Sequence, residues 1–268
     1  MTDAYIFSDH DDAAERHRLQ MLERVHDQRT AQLLERAQLR LGQTCAEIGA
    51  GAGSIAGRMA RQVGSTGRVV AVDIDPRFLI SQELGDVEVR QADITKPGAL
   101  ERDNYDLIHA RFVLVHLPDP AQAVANMVAG LKPGGALVLE EPDFRTAFSA
   151  SENSADRASI DAVNRAICAL YFQMGKDPGF GVRLPHVVEV AGVSQLEIDV
   201  LAPLVRGGDP MALMMGASVS HLRSRLLHTQ AAVDGDIDRY CSAAADPAIW
   251  ASYYSTVSVM GRKLRSPQ

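Results

Sequence analysis

An apolar run at residues 44–48 leads directly into Gly49-Ala50-Gly51-Ala52-Gly53, and a helix-like segment opens at Ser54. Glycines at the junction of a strand and a helix constrain a fold tightly. They let the backbone turn sharply and let a ligand approach with no Cβ in the way. The start of the helix adds N–H groups that lack intrahelical partners. In open α/β sheets this carboxyl edge is where ligands dock.

The chain around this turn repeats one rhythm. Apolar runs at 44–48, 68–73, 87–91, 107–110 and 136–140 alternate with helix-like segments, which is the pattern of a parallel sheet wrapped by crossover helices. Upstream, Leu19, Leu22, Val25, Leu33, Leu34 and Leu41 recur mostly at helical intervals over 13–41. Asp119-Pro120 starts a helix and Lys132-Pro133-Gly134-Gly135 ends it. After Pro142 the rhythm changes. Residues 151–174 read as one long helix carrying Ile160, Val163, Ile167, Leu170 and Met174. A short helix at 184–191, a strand through Leu196, Ile198 and Val200, a helix at 210–227 and a last strand at 252–259 follow. That last strand is expected to pair antiparallel with the one before it. The expected division is a helical N-terminal lid at 1–40, a ligand-binding α/β domain at 41–145 and 181–268, and a helical insertion at 146–180 that covers an acceptor pocket.

Charge and cysteines narrow the function classes. Lys and Arg number 27 against 34 Asp and Glu, a formal charge of −7, so a nucleic-acid partner is not expected. The three cysteines, Cys45, Cys168 and Cys241, form no C-x-x-C pair, and no His, Asp or Cys set has ligand spacing, so no metal is expected. Asp3, Asp9, Asp11 and Asp12 stand where a secretory signal needs basic residues. No apolar stretch approaches the roughly 20 residues of a spanning helix. A cytoplasmic protein without membrane association is expected, its oligomeric state open and a homodimer among the options.

The glycines admit two ligands. Gly51-Ala52-Gly53-Ser54-Ile55-Ala56 satisfies the dinucleotide fingerprint G-x-G-x-x-A, which keeps an NAD(P)-dependent oxidoreductase in play. Asp73, ending the second strand, can accept from the ribose hydroxyls of any adenosine cofactor. Asp93 follows the third strand beside Ile94, where it can accept from an adenine amine. A dinucleotide enzyme does not require it.

With these residues the chain resembles the class I S-adenosylmethionine-dependent methyltransferases of the small-molecule type. The resemblance rests on Glu47 to Gly53, Asp73, Ala92-Asp93-Ile94, Tyr105 to Arg111 and Leu131 to Gly135. It covers residues 40–145 strongly and continues weakly through Gly181 to Pro185 and Ala191 to Val193. It implies a Rossmann-like, doubly wound, seven-stranded sheet with one antiparallel strand. The implied cofactor is S-adenosyl-L-methionine, released as S-adenosyl-L-homocysteine. Gly49, Ala50 and Gly51 would line its methionine and ribose portions, Asp73 would hold the ribose, Asp93 with Ile94 would frame the adenine and Ala110 would flank the sulfonium, with Ile74 and Arg111 also among the cofactor-binding residues. Glu47 would orient the amino-acid end. Tyr5 would fold over the cofactor.

The implied reaction is in-line methyl transfer to a small phenol, amine or carbon nucleophile, driven mainly by alignment. His116, in the turn after the fourth strand, is the candidate general base, and a loop-orienting role is its alternative. His109 reads as a polar support within the sheet. Glu140, Glu141 and Asp143 end the fifth strand, where one can touch an acceptor or serve as a cap or ion pair. Phe144, Phe148, Tyr171, Phe172, Met174 and Phe180 supply apolar material for an acceptor pocket. A cofactor-binding protein or cyclase that transfers nothing is the remaining alternative on the same fold.

Overall fold

Strands buried on both faces have to be largely apolar, and the interiors of the first two of this chain are, with Glu47 the one charged exception. The computed structural model describes residues 6–7, 12–80 and 84–264; Tyr5 lies outside them. In chain order the elements are α1 (Asp12–Arg36), β1 (Thr44–Ile48), α2 (Ser54–Val63), β2 (Arg68–Asp73), α3 (Arg77–Ile80), β3 (Val87–Gln91), β4 (Tyr105–Arg111), α4 (Pro120–Gly130), β5 (Leu131–Asp143) and β6 (Phe148–Ser149). Then come α5 (Ser154–Gln173), α6 (Leu184–Val190), β7 (Val193–Leu201), β8 (Val205–Arg206), α7 (Pro210–His221), α8 (Arg223–His228), α9 (Asp234–Ala245), β9 (Trp250–Ser252) and β10 (Ser255–Lys263).

The chain divides into two compact units. The larger one comprises His26–Glu141, Gly181–Asp199 and the segment from Val257 onward. It is built on a seven-stranded sheet in the order β3-β2-β1-β4-β5-β10-β7, mixed, with one antiparallel strand. The registers Thr44↔Arg68, Cys45↔Leu107 and Ile108↔Leu137 are parallel, as crossover helices require. The order steps outward from β1 in both directions, so the ends of β1 and β4 flank the topological switch point where ligands bind in such sheets.

One face of this sheet packs Cys45, Val69, Ala71, Leu107, Ala136 and Val138 against Leu33 and Leu34 of α1 and Ile55 and Met59 of α2. Leu33 and Leu34 are fully buried, and truncating either to Ala costs about 2–5 kcal/mol. Helix α2 stops at Gly64, whose N–H still reaches the Ala60 carbonyl and whose positive φ of 66° then turns the chain out of the helix. Helix α4 starts as its sequence demands, with Pro120 in its first turn and the Asp119 carboxylate accepting from the Gln122 N–H at 3.0 Å.

The smaller unit gathers the described residues up to Val25, Pro142–Phe180 and Val200–Thr256. Helix α9 packs on both α5 and α7. A three-stranded sheet, β6-β9-β8, is antiparallel, with Phe148 opposite Ser252 and Val205 opposite Ala251. Phe144 lies 5.2 Å from the Tyr171 ring and 5.4 Å from the Tyr254 ring, and both tyrosines are buried. Phe148 and Phe172 are instead exposed.

Several boundaries differ from the sequence expectation. Strand β5 begins at Leu131, because Leu131 pairs with Tyr105 and Ala136 with Leu107. Lys132 to Gly135 therefore form a bulge inside the strand instead of a turn before it. The helix expected over 210–227 breaks at Leu222 into α7 and α8. Helix α9 and, apart from Ser252, the small sheet lie where the sequence pattern predicts no element. No helix among the described residues is long and apolar enough to cross a membrane.

Candidate cofactor site

The glycine turn at the end of β1 is held by backbone bonds within itself and to β2. Gly49 donates to the Val72 carbonyl at 2.8 Å and Gly53 to the Ala50 carbonyl at 2.9 Å. Gly49, Gly51 and Gly53 all have positive φ, at 65°, 56° and 93°, which L side chains reach only with strain. A Cβ on Gly49 would lie 2.3 Å from Val113 Cγ2, so the segment after β4 closes directly onto the turn.

Asp73, at the end of β2, binds the turn from the side. Its Oδ2 accepts from the Gly51 N–H at 3.0 Å and its Oδ1 from the Asp75 N–H at 3.0 Å. Burial raises its carboxyl above the usual range, and the amide bonds work against that shift. Next to it, Ile74 is 67% exposed, an apolar side chain turned to solvent. Asp93 follows β3 and its Oδ1 accepts from the Thr95 hydroxyl at 2.7 Å and the Thr95 N–H at 2.9 Å. The Thr95 hydroxyl holds this carboxyl low, so it is ionised at neutral pH. Ile94 is buried, and its carbonyl accepts from the Asn126 amide at 2.8 Å.

Strand β4 contributes Ala110, fully buried, and Arg111. The Arg111 guanidinium donates to the Thr30 hydroxyl at 2.8 Å and to Asp27 at 2.9 Å, so its charge is spent on α1. Glu47 is also buried, its Oε2 at 2.6 Å from His109 Nδ1. Burial pushes the Glu47 carboxyl up and His109 pulls it back. The other ring nitrogen of His109 meets Glu140 at 3.1 Å.

Glu141 has a role that spacing alone did not reveal. Its Oε1 accepts from the N–H groups of Val113 and Leu114 at 3.0 and 2.8 Å, and its Oε2 from that of Val115 at 3.0 Å. The carboxylate thus caps the 3-10 turn Leu114–His116 and places His116, which is half-buried. Burial lifts the Glu141 carboxyl to about 7 against the pull of the three amides. Asp143 caps the following 3-10 turn through the Arg145 N–H and pairs with the Arg145 side chain at 2.9 Å. The three acidic residues ending β5 are accordingly two caps and an ion-pair partner. Alternation along the strand puts Glu140 and Glu141 on opposite faces, which is the signal that separates their roles. Among the described residues, no group of three or more His, Cys, Asp and Glu could hold a metal ion.

The turn, Asp73, the exposed Ile74 and Asp93 fit an adenosyl group. They offer a backbone cradle, a carboxylate for ribose hydroxyls, an apolar face for a base and a second carboxylate for its amine.

A methyltransferase domain family matches residues 46–139. Methyltransferase str2 of Strobilurus tenacellus is 28% identical over 149 residues, which are 54% of this chain and 51% of that protein. The chain spans about half the length, or less, of the curated relatives it matches. Among solved structures, phosphoethanolamine N-methyltransferase 2 of Haemonchus contortus, in complex with S-adenosyl-L-methionine, superposes with a TM-score of 0.54 at 17% identity. That match covers 90% of this chain and 53% of the other. The [4+2]-cyclase SpnF gives a TM-score of 0.54 at 17% identity, over 90% of this chain and 82% of that one. Residues 46–139 thus match a methyltransferase domain family by sequence, on the Rossmann-like fold that these solved structures share.

Proposed function

We propose that the chain transfers a methyl group from S-adenosylmethionine to a small organic acceptor, a phenol, an amine or a carbon nucleophile. The observation that carries this reading is the Asp73 carboxylate bonded to Gly51 of the glycine turn, with Ile74 exposed beside it and Asp93 at the next strand end. Two carboxylates and an apolar side chain around one glycine turn match the ribose, base and exocyclic amine of a single adenosine. A dinucleotide does not call for the second carboxylate.

Bound S-adenosylmethionine supplies an electrophilic methyl group on a sulfonium, open to in-line displacement. The residues of the chain bind, align and dry that reaction. Glu47 orients the amino-acid end, Gly49, Ala50 and Gly51 line the methionine and ribose, and Ala110 with the stem of Arg111 closes the sulfonium region. Holding reactants in a near-attack geometry accounts for roughly 7–11 kcal/mol of barrier lowering. His116, on the turn that Glu141 caps, takes the proton of a phenolic acceptor; an amine or stabilised carbanion needs no base. The acidic balance of the chain favours a small acceptor over a polyanion.

The test is calorimetric titration with S-adenosylhomocysteine, with NAD and NADP as controls. Saturable binding of the first, weakened about 10- to 100-fold in Asp73→Ala, supports the reading. A response to the dinucleotides alone would replace it with the oxidoreductase. Cofactor binding with no methylated product from any acceptor would leave the non-transferring role.

A further inference from the structure

Three ionisable side chains lie in a row inside the sheet, on the face that also carries Leu107 and Val138. Glu47 on β1, His109 on β4 and Glu140 on β5 are 4%, 0% and 0% exposed. Register brings them together, since Glu47 pairs with His109 and Arg111 with Glu140. The two ring nitrogens of His109 meet Glu47 Oε2 at 2.6 Å and Glu140 Oε1 at 3.1 Å. With both acids ionised each only accepts, and the ring between them then donates from both nitrogens as the imidazolium form.

The row continues to the N-terminal helix. Glu140 Oε1 also accepts from the Thr30 hydroxyl at 2.6 Å, and Thr30 accepts from Arg111, which pairs with Asp27. The charged and titratable groups that face the ring are therefore Glu47 from β1, Arg111 from β4, Glu140 from β5, and His26 and Asp27 from α1. His26 stays neutral, because burial and then Arg111 lower it to about 3. Packing does not explain this choice of residues: apolar side chains fill the rest of the face, and buried ion pairs are commonly no better for stability than apolar replacements.

We propose that His109 is a positioning residue of the cofactor site, which holds the Glu47 carboxylate beneath the glycine turn and ties it through Glu140 and Thr30 to α1. This rests on the cofactor reading above. Burial opposes the charge on the ring, but Glu47 and Glu140 outweigh it and raise His109 to about 9. With the folded value above the unfolded value of 6.5, the favourable contribution is complete below about 6.5 and is lost as pH rises through about 9. Cofactor retention follows the same window.

The experiment uses the full chain, with S-adenosylhomocysteine affinity measured from pH 6.5 to 10 and the ring protons of histidine followed by NMR. The His109 signal should titrate near 9, and wild-type affinity should fall above that point. Glu140→Gln removes one carboxylate and should bring the fall down by about one pH unit. The ligand's own amino group titrates identically with both proteins, so the displacement isolates His109. His109→Gln should weaken binding about tenfold at pH 7.5 and abolish the displacement; Glu140→Gln provides the test even if that variant does not fold. A His109 midpoint below 7, or identical pH profiles for wild type and a cooperatively folded Glu140→Gln, would overturn the proposal. Failure of the wild type to bind at any pH overturns the cofactor reading and this proposal with it.

Discussion

Val113 closes over Gly49: the position of a Cβ on that glycine lies 2.3 Å from Val113 Cγ2. The turn after β1 and the turn after β4 are therefore one packed unit, held from beneath by the Glu141 bonds to residues 113–115.

Gly49→Ala meets both a positive φ and that collision. Its cost should exceed about 2 kcal/mol, with loss of S-adenosylhomocysteine binding. Gly98→Ala has a φ of 84° but nothing within 4 Å of the new Cβ, so it should cost only about 1 kcal/mol. Urea denaturation of the two variants separates backbone strain from collision.

Asp73→Ala removes the acceptor of the Gly51 N–H together with the proposed ribose ligand. Affinity for S-adenosylhomocysteine should drop about 10- to 100-fold by calorimetry, equivalent to roughly 1.4–2.8 kcal/mol. Asp93→Asn should bind more weakly too, because its amide presents a donor to the adenine amine on one side.

Glu141→Gln keeps the shape of the side chain but replaces an accepting oxygen with a donor. One amide of the 113–115 turn is left unpaired, at a cost of about 1–3 kcal/mol. The sign of the pH dependence is specific. The carboxyl is raised to about 7 in the folded protein, so the native state holds its proton longer than the unfolded chain, and wild-type stability falls from about pH 4.5 to 7. Denaturation at pH 5 and pH 8 should show the variant losing more, relative to wild type, at pH 5.

His116→Gln should slow transfer to a phenolic acceptor by about 10²–10⁴ and leave S-adenosylhomocysteine affinity within a factor of two. Equal slowing with an amine acceptor would assign His116 to ordering its turn, and single-turnover rates with the two acceptors distinguish the outcomes.

The sheet was legible where burial forced apolar runs, as in β1 and β2, and where Val87 and Val89 alternate with polar residues, as in the edge strand β3. Strands β1, β2 and β3 have the bounds that the sequence predicts. Strand β4 was trimmed because Tyr105, Asp106 and Arg111 are not apolar, although Tyr105 is fully buried and pairs with Leu131. Helix α9, Asp-rich at its start, and strands of two or three residues carry too little periodicity to be recognised. In the site, Asp73 and Asp93 stand at strand ends as the glycine turn required. The Glu141 cap joins residues 26 to 28 positions apart, and the Glu47–His109–Glu140 row depends on register between strands. Neither can be read along a single chain without the sheet order.

The most direct test of methyl transfer is incubation of the purified protein with methyl-labelled S-adenosylmethionine and a metabolite extract, followed by mass spectrometry. The account predicts label in one or a few small molecules, in one-to-one amount with the S-adenosylhomocysteine formed, and about 10- to 100-fold less of it at limiting cofactor after Asp73→Ala. Unconsumed cofactor with native, cofactor-bound protein across phenol, amine and carbon acceptors would contradict it.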